Sequence, residues 1–343
     1  MTDPTPEATP RNEGEADGGA PRWRRLLDVL GPFLGLAFVV LLFAIVAPSG
    51  FVSAYNAKTI ATQTVIVGLS AIGMTFVIRS GGIDLSVGST IALSSVVTAL
   101  CMRDGLGEFA AVVLGVASGA AVGFVNGGLV TRLALPPFIV TLGTLGAARG
   151  VAKWLGDEQK VDAPSGWLEG AMSKSPDPAW LVVAPGVWLM VLAAIAAAVL
   201  LRRTVFGAWT TAIGSNEATA RLCGVPVERT KVLIYVLAGA AAGLSGVLQF
   251  GRLTVGDPTT ALGKELDVIA AVVIGGASLS GGTGTILGAL IGAFLMATLA
   301  NGCNLSGVPN YVQEILIGAI IVGAVALDGI RHGRGAGSSA QRP

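Results

Sequence analysis

The chain has 343 residues, 52% of them hydrophobic and 13% charged, with a formal net charge of +1. An ordinary soluble domain carries about 25% charged residues, so the composition excludes a conventional globular core, and the near-zero charge excludes a bulk basic field for nucleic acid. One histidine, His332 in the C-terminal tail, and three scattered cysteines, Cys101, Cys223 and Cys303, argue against histidine-dependent catalysis, a metal site or a disulfide framework.

Residues 1–21 are rich in Pro, Glu, Thr and Gly and read as a disordered tail. Their acidic, polar character excludes a signal peptide. Arg22, Arg24 and Arg25 then abut the first apolar run. A membrane span needs about 20 mostly apolar residues. That ruler marks ten segments, at 28–47, 58–79, 84–102, 108–131, 135–155, 179–201, 229–251, 265–280, 284–303 and 311–328. The first, fourth, sixth, seventh and ninth are clear. The third and eighth are weak, and the eighth is also short. The expected fold is all-α and polytopic, with a transmembrane body over 22–330 and a second disordered tail over 331–343. Placing the N-terminus inside puts fourteen of the 22 lysines and arginines on the cytoplasmic side and eight outside, in keeping with the positive-inside rule. Ten spans return the C-terminus to the cytoplasm. The 49 glycines are expected to serve close helix packing, or simply turns and loops.

Two glycine- and serine-rich breaks interrupt the apolar pattern. The first is Arg79-Ser-Gly-Gly-Ile-Asp-Leu-Ser-Val-Gly-Ser89; the second is Gly275-Gly-Ala-Ser-Leu-Ser-Gly-Gly-Thr-Gly-Thr285. Irregular backbone at membrane depth is tolerated only where protein or a water-filled cavity satisfies it. Discontinuous or re-entrant segments with a polar path between them are expected here. Gly81, Gly82, Asp84, Ser86, Gly275, Gly276, Ser278 and Ser280 are the pathway candidates from the breaks, and Asn126 joins them from the fourth span. Asp84 either faces that path, with Arg79 as its partner, or caps the following segment. Asn126 either touches solute or bonds across helices, and the structural role is also expected of Gln63, Gln249, Asn301, Asn304 and Gln313. Glu265, Asp267 and Glu314 lie near the outer surface and read as helix-end charges.

The longest inner loop, 202–230, contains a short helix over 217–223. Asn216 caps it, Glu217 complements its dipole, and Gly224 followed by Pro226 stops it. It presents Ala218, Ala220 and Leu222 among Glu217, Thr219 and Arg221. Too short to span, it either docks a cytoplasmic partner or joins spans along the headgroups. No Gly-rich loop ending in Gly-Lys-Ser/Thr occurs, so no nucleotide site is evident in this chain.

Four blocks resemble the ribose/xylose-type monosaccharide permeases of ATP-binding-cassette importers. They are Ser80-Gly-Gly-Ile-Asp-Leu-Ser-Val-Gly-Ser89; Asn126-Gly-Gly-Leu-Val-Thr-Arg-Leu133 with Pro136–Thr144 and Arg149-Gly150; Ala212–Val225; and Glu265–Thr285. They occur in the family's order and cover roughly 30–330. The resemblance implies a permease that pairs with a second permease chain as a homodimer and sits with multiple passes in the bacterial inner membrane. It implies docking of a cytoplasmic ATPase through Asn216, Glu217, Ala218, Ala220, Arg221 and Gly224. ATP and Mg would be bound on that partner and no cofactor by this chain, and sugar would arrive from a periplasmic or lipid-anchored binding protein. Thr219 and Cys223 depart from the commonest loop pattern, where alanine and serine are frequent. The competing expectation is an autonomous, ion-coupled sugar transporter or facilitator, which needs no ATPase. Pentoses, hexoses, deoxysugars and polyols all remain open as cargo.

Overall fold

In the computed structural model, residues 22–47, 50–164 and 166–336 are described. The expected tails 1–21 and 337–343 lie outside them, while 331–336, expected as tail, continue the last helix. Among the described residues, thirteen α-helices follow in order. They are α1 Arg22–Val46, α2 Ala54–Arg79, α3 Val87–Arg103, α4 Glu108–Arg132, α5 Pro137–Leu155, α6 Trp167–Ala171, α7 Pro185–Arg203, α8 Val205–Ser215, α9 Glu217–Leu222, α10 Val227–Leu253, α11 Lys264–Ile274, α12 Ile286–Leu305 and α13 Asn310–Ala336. Every expected span coincides with a helix. Five of these, α2, α4, α7, α10 and α12, are long and apolar enough to cross a membrane unaided.

The core is built around α2, α3, α10 and α12. Nearly every residue of α2 from Thr62 to Ile78 is buried, so this helix is apolar on all sides and enclosed by α7, α10, α11 and α12. Helices α4, α5 and α7 instead expose Phe109, Phe124, Phe138, Ile139, Leu192 and Ile195 outward. A helix hydrophobic all round belongs in a core or in lipid, and outward apolar faces are what lipid requires.

Glycine sets the tightest seam. Along α4 and α10, a Cβ on Gly119 would lie 2.6 Å from the Gly243 Cα, and one on Gly239 would lie 2.9 Å from the Gly123 Cα. The two backbones touch, which small residues permit and lipid-driven association rewards. The packing expectation for glycine holds at this seam.

Helix α11 is a half-span. Its 11 residues rise about 16 Å, against about 30 Å of hydrocarbon. It packs antiparallel on α12: Gly275 lies against the Gly288 and Ala289 backbone, and Gly292 against Ala271. Continuing that register puts Lys264 level with Leu299. Helix α11 therefore begins six residues (305 − 299) short of the C-terminal end of α12, about 9 Å down. The weak, short eighth segment of the sequence is explained by this geometry.

On the opposite side from the breaks, Val161–Asp162 and Val255–Gly256 form a two-residue antiparallel ladder. Arg149 donates to the carbonyl oxygens of Pro258 and Thr260 at 2.8 and 2.7 Å. The long loop over 156–178 is thus tied to the α10–α11 connection.

Candidate functional site

The two breaks meet. The guanidinium of Arg79, the last residue of α2, donates through Nε to Thr211 Oγ1 of α8 at 2.9 Å and through Nη1 to the Gly284 carbonyl of the second break. The Gly282 N–H donates back to the Arg79 carbonyl at 2.9 Å. Gly214 of α8 closes the node: a Cβ there would overlap the Arg79 carbonyl and lie 2.7 Å from the Gly282 nitrogen. One of the two readings of Asp84 makes Arg79 its partner. Arg79 does not pair with it, because its head is turned away to α8 and the second break, and among the described residues Asp84 makes no ion pair.

Asp84 instead organises the first break locally. It is 2% exposed, and its Oδ1 accepts from the Ser86 N–H at 2.8 Å and the Ser86 hydroxyl at 2.6 Å. This is a short-range Asx turn leading into α3. Asn126 of α4 donates Nδ2–H to Ser86 Oγ at 2.9 Å, and Thr141 of α5 donates to the Ile83 carbonyl at 3.1 Å. Asp84, Ser86 and Asn126 therefore form one buried cluster, with both roles weighed for Asp84 and Asn126 compatible with it. The Tyr235 hydroxyl of α10 faces the same loop: a Cβ on Gly82 would sit 2.6 Å from it. The hydroxyl of Tyr235 and Oδ1 of Asn126 are buried without a hydrogen-bond partner among the described residues. Gly275, Gly276, Ser278 and Ser280 lie in the α11–α12 turn, where the Ser280 N–H meets Ser278 Oγ at 3.3 Å. Gly81 approaches Gly214, as Gly281 does, so the two breaks converge beside α8, whereas the candidate Gly275 packs on Gly288 of α12.

Removing the Ser86 hydroxyl takes one hydrogen bond from each of two buried partners, Asp84 and Asn126, while Asp84 keeps the Ser86 N–H. Ser86→Ala is expected to destabilise the purified protein by about 1–3 kcal/mol, the cost of stranding buried polar groups, read as a lowered thermal midpoint in detergent. An unchanged midpoint would mean the cluster is already satisfied by water.

The short helix α9 stands where 217–223 was expected. Asn216 Oδ1 accepts from the Thr219 N–H at 2.9 Å. At the other end Gly224 adopts φ +81°, and the Val225 and Gly224 N–H groups donate to the Ala220 and Arg221 carbonyls at 3.1 Å each. That double bond is a Schellman ending, which only glycine enters without strain. Glu217 pairs with Lys231 at 2.6 Å and with Arg221 at 3.2 Å, and Arg221 also pairs with Glu228. Partial burial would raise the Glu217 carboxyl, but its bonds and charge attraction to Lys231 and Arg221 outweigh this and hold it below the usual glutamate value. Of the three apolar residues expected on its surface, Ala220 is buried against Ile213 and Val227, whereas Ala218 is exposed and Leu222 is 89% exposed. Helix α9 is thus clipped to the start of α10 and presents a leucine to the aqueous side.

Comparison with known proteins decides the family. The family model described as the permease component of branched-chain amino acid transport systems matches residues 56–325. The ribose import permease RbsC of Bacillus subtilis is 43% identical over 303 residues, 88% of this chain and 93% of the relative. The RbsC of Escherichia coli K12 is 38% identical over 301 residues, 86% and 92%, and the L-arabinose permease AraH of the same strain is 35% identical over 314, 90% and 94%. The chain belongs to the sugar-importer permeases. No solved structure matches it.

The permease has a second polar feature at its other end. A cavity of about 640 Å³ opens between α2, α10, α11, α12 and α13, above the sunken start of α11. Gln63, Gln249, Asn304 and Gln313 reach it, as do Asp267 and Glu314. Some of the expected cross-helix bonding is present: Gln313 Nε2 donates to Asn304 Oδ1 at 2.8 Å, between α13 and α12. Asp267 pairs with Lys264 at 2.6 Å. Sequence reasoning treated these groups one by one as structural. The signal that could have grouped them is that four amides sit near the same end of four different spans.

Proposed function

We propose that this permease is the membrane-spanning subunit of an ATP-driven importer of a monosaccharide or related polyol, in the bacterial inner membrane with both termini cytoplasmic. A second copy of the chain, a cytoplasmic ATPase and an extracytoplasmic sugar-binding protein complete the assembly. The relatives named for ribose and arabinose support the cargo class. The observation that carries the reading is α9: a helix of one and a half turns, capped at both ends, clipped by ions to α10 and offering Leu222 to the cytoplasm. Such a rigid knob suits a cleft on an ATPase, whose closure it would pass on as rigid-body motion. Gly81, Gly82, Asp84, Ser86, Asn126, Gly275, Gly276, Ser278 and Ser280 would then form the cytoplasmic end of the path. ATP and Mg bind the ATPase, and this chain carries out no hydrolysis.

The test is ATPase activity of the permease in nanodiscs with its ATP-binding partner, with and without binding protein and D-ribose, L-arabinose or D-allose. Stimulation is expected only with the complete set. Glu217→Arg sets a cation against Lys231 and Arg221, and Gly224→Val strains the Schellman ending. Either is expected to lower stimulation about ten-fold while the protein still purifies as a folded permease. Full stimulation in both variants would sink the role of α9. Sugar equilibration by the permease alone, with no ATPase bound, would favour an autonomous transporter.

A further inference from the structure

Beside the Arg79 node, a groove of about 570 Å³ opens between the end of α2, the last turn of α7 and the near face of α8. Arg79 and Arg202 both line it, with Thr204 and Thr211 beside them and no carboxylate on its walls. The two guanidinium groups are near enough for their charges to repel. We infer that this groove binds the phosphate of an anionic phospholipid from the cytoplasmic leaflet, with an acyl chain of that lipid laid along α7. The inference rests on the proposed orientation, which puts the end of α2 on the cytoplasmic side.

Three observations carry it. First, the charge is unspent. Arg79 gives Nε to Thr211 and Nη1 to the Gly284 carbonyl, and its Nη2 has no protein partner among the described residues. Arg202 is exposed and makes no hydrogen bond or ion pair among them. Like charges held side by side without a counter-ion call for an anion, and the planar guanidinium fork matches phosphate oxygens. Second, the groove ends an apolar stripe. Trp188, Leu192, Ile195 and Val199 of α7 are exposed. They recur every three or four residues and so share one face, on which Arg202 comes next. From Leu192 to Arg202 is ten residues (202 − 192), about 15 Å of helix. That is half of the ~30 Å hydrocarbon core, the depth of one leaflet. A free phosphate ion uses only the arginines; a phospholipid uses the stripe as well. Third, the cytoplasmic leaflet is rich in such lipids, and basic pockets between helices on that side hold their head groups. Helix α8, capped by Thr204 beside the groove, adds the positive end of its dipole, but the arginines carry the site. A lipid seated here bridges α7 to the node that joins α2, α8 and the second break.

Native mass spectrometry of the permease in detergent, with added phosphatidylglycerol or phosphatidylcholine, reads the site directly. The wild type is expected to hold phosphatidylglycerol at least about ten-fold more tightly. Arg202→Gln is expected to weaken this about five-fold, the worth of one basic residue at an anionic surface, and Arg202→Lys to recover most of it. Arg132→Gln is the control. Arg132 is exposed at the cytoplasmic end of α4, outside the groove, and its loss is expected to leave retention unchanged. Equal weakening by Arg132→Gln would show general surface charge only, and displacement by excess inorganic phosphate would make a free anion the ligand; either overturns the inference. Unchanged retention in Arg202→Gln overturns it too, and weaker co-purification of the ATPase with that variant would then assign the groove to a carboxylate of that partner. In nanodiscs with ATPase, binding protein and sugar, phosphatidylglycerol is expected to raise the stimulated activity of the wild type more than that of Arg202→Gln. Absence of stimulation in every lipid would count against the importer reading alone, because retention is measured without the ATPase.

Discussion

Gly239→Leu is expected to yield no folded permease, whereas Gly128→Leu, one helix away, is expected to be tolerated. A Cβ on Gly239 overlaps the Gly119 carbonyl and comes within 2.9 Å of the Gly123 Cα, while around Gly128 nothing lies within 4 Å. Overpacking a core side chain costs about 1–3 kcal/mol, because neighbouring side chains can move. Here the neighbour is backbone. Relief requires α4 and α10 to separate along their whole seam, which would lose the contacts of the centre of the molecule. That cost is comparable with the roughly 5–15 kcal/mol that holds a domain folded. Size-exclusion profiles of the two detergent-extracted variants check it. A monodisperse Gly239→Leu protein would show that the seam can open without unfolding.

Gly214→Ala is expected to leave the permease bound to its ATPase but to cut ATP-driven uptake at least ten-fold, equivalent to roughly 1.4 kcal/mol of lost coupling. Gly214 is packed against the Arg79 carbonyl and the Gly282 N–H, and α8 is separated from α9 by Asn216 alone. Movement of α9 therefore reaches the end of α2 and the second break through contacts that have no slack. An extra methyl group forces these parts asunder. Since this variant could also disturb folding, Thr211→Val is the gentler probe. It keeps the side-chain shape and removes the hydroxyl, which accepts from Arg79 Nε and donates to the Gly207 carbonyl of its own helix, each at 2.9 Å. Co-purification with the ATPase reads assembly, and uptake per bound ATPase reads transmission. Normal uptake in both variants would show that α8 is a passive connector.

Much of this arrangement could be read from residue types. The breaks announced themselves because glycine and serine stand where apolar residues should run on. Helix α9 was legible because a cap at Asn216 and a stop at Gly224 are local chemistry, decided within a few residues. Helix α8 was not. Its sequence, Val205-Phe-Gly-Ala-Trp-Thr-Thr-Ala-Ile-Gly-Ser215, carries two glycines and several poor helix formers, and contacts with α2, α7 and α10 hold it. The direction of Arg79 was also hidden. Asp84 is five residues away, whereas Thr211 and Gly284 are 132 and 205 residues away, and only the folded chain makes them neighbours. The outer cavity escaped for the same reason. Gln63, Gln249 and Gln313 are unremarkable singly, and the depth at which α11 starts, which brings them to one space, follows from helix register.

Helix α11 bears on how the chain is made. Eleven residues headed by Lys264, Glu265 and Asp267 are too short and too polar at one end to partition into lipid as they leave the ribosome. Its glycine contacts with α12 show what it needs instead: the two must enter the membrane as one hairpin, with Gly275 on Gly288 and Ala271 on Gly292. The C-terminal quarter of the permease therefore acquires its membrane topology only after α12 has been synthesised, and the sunken start of α11, with the cavity above it, is an outcome of that joint insertion.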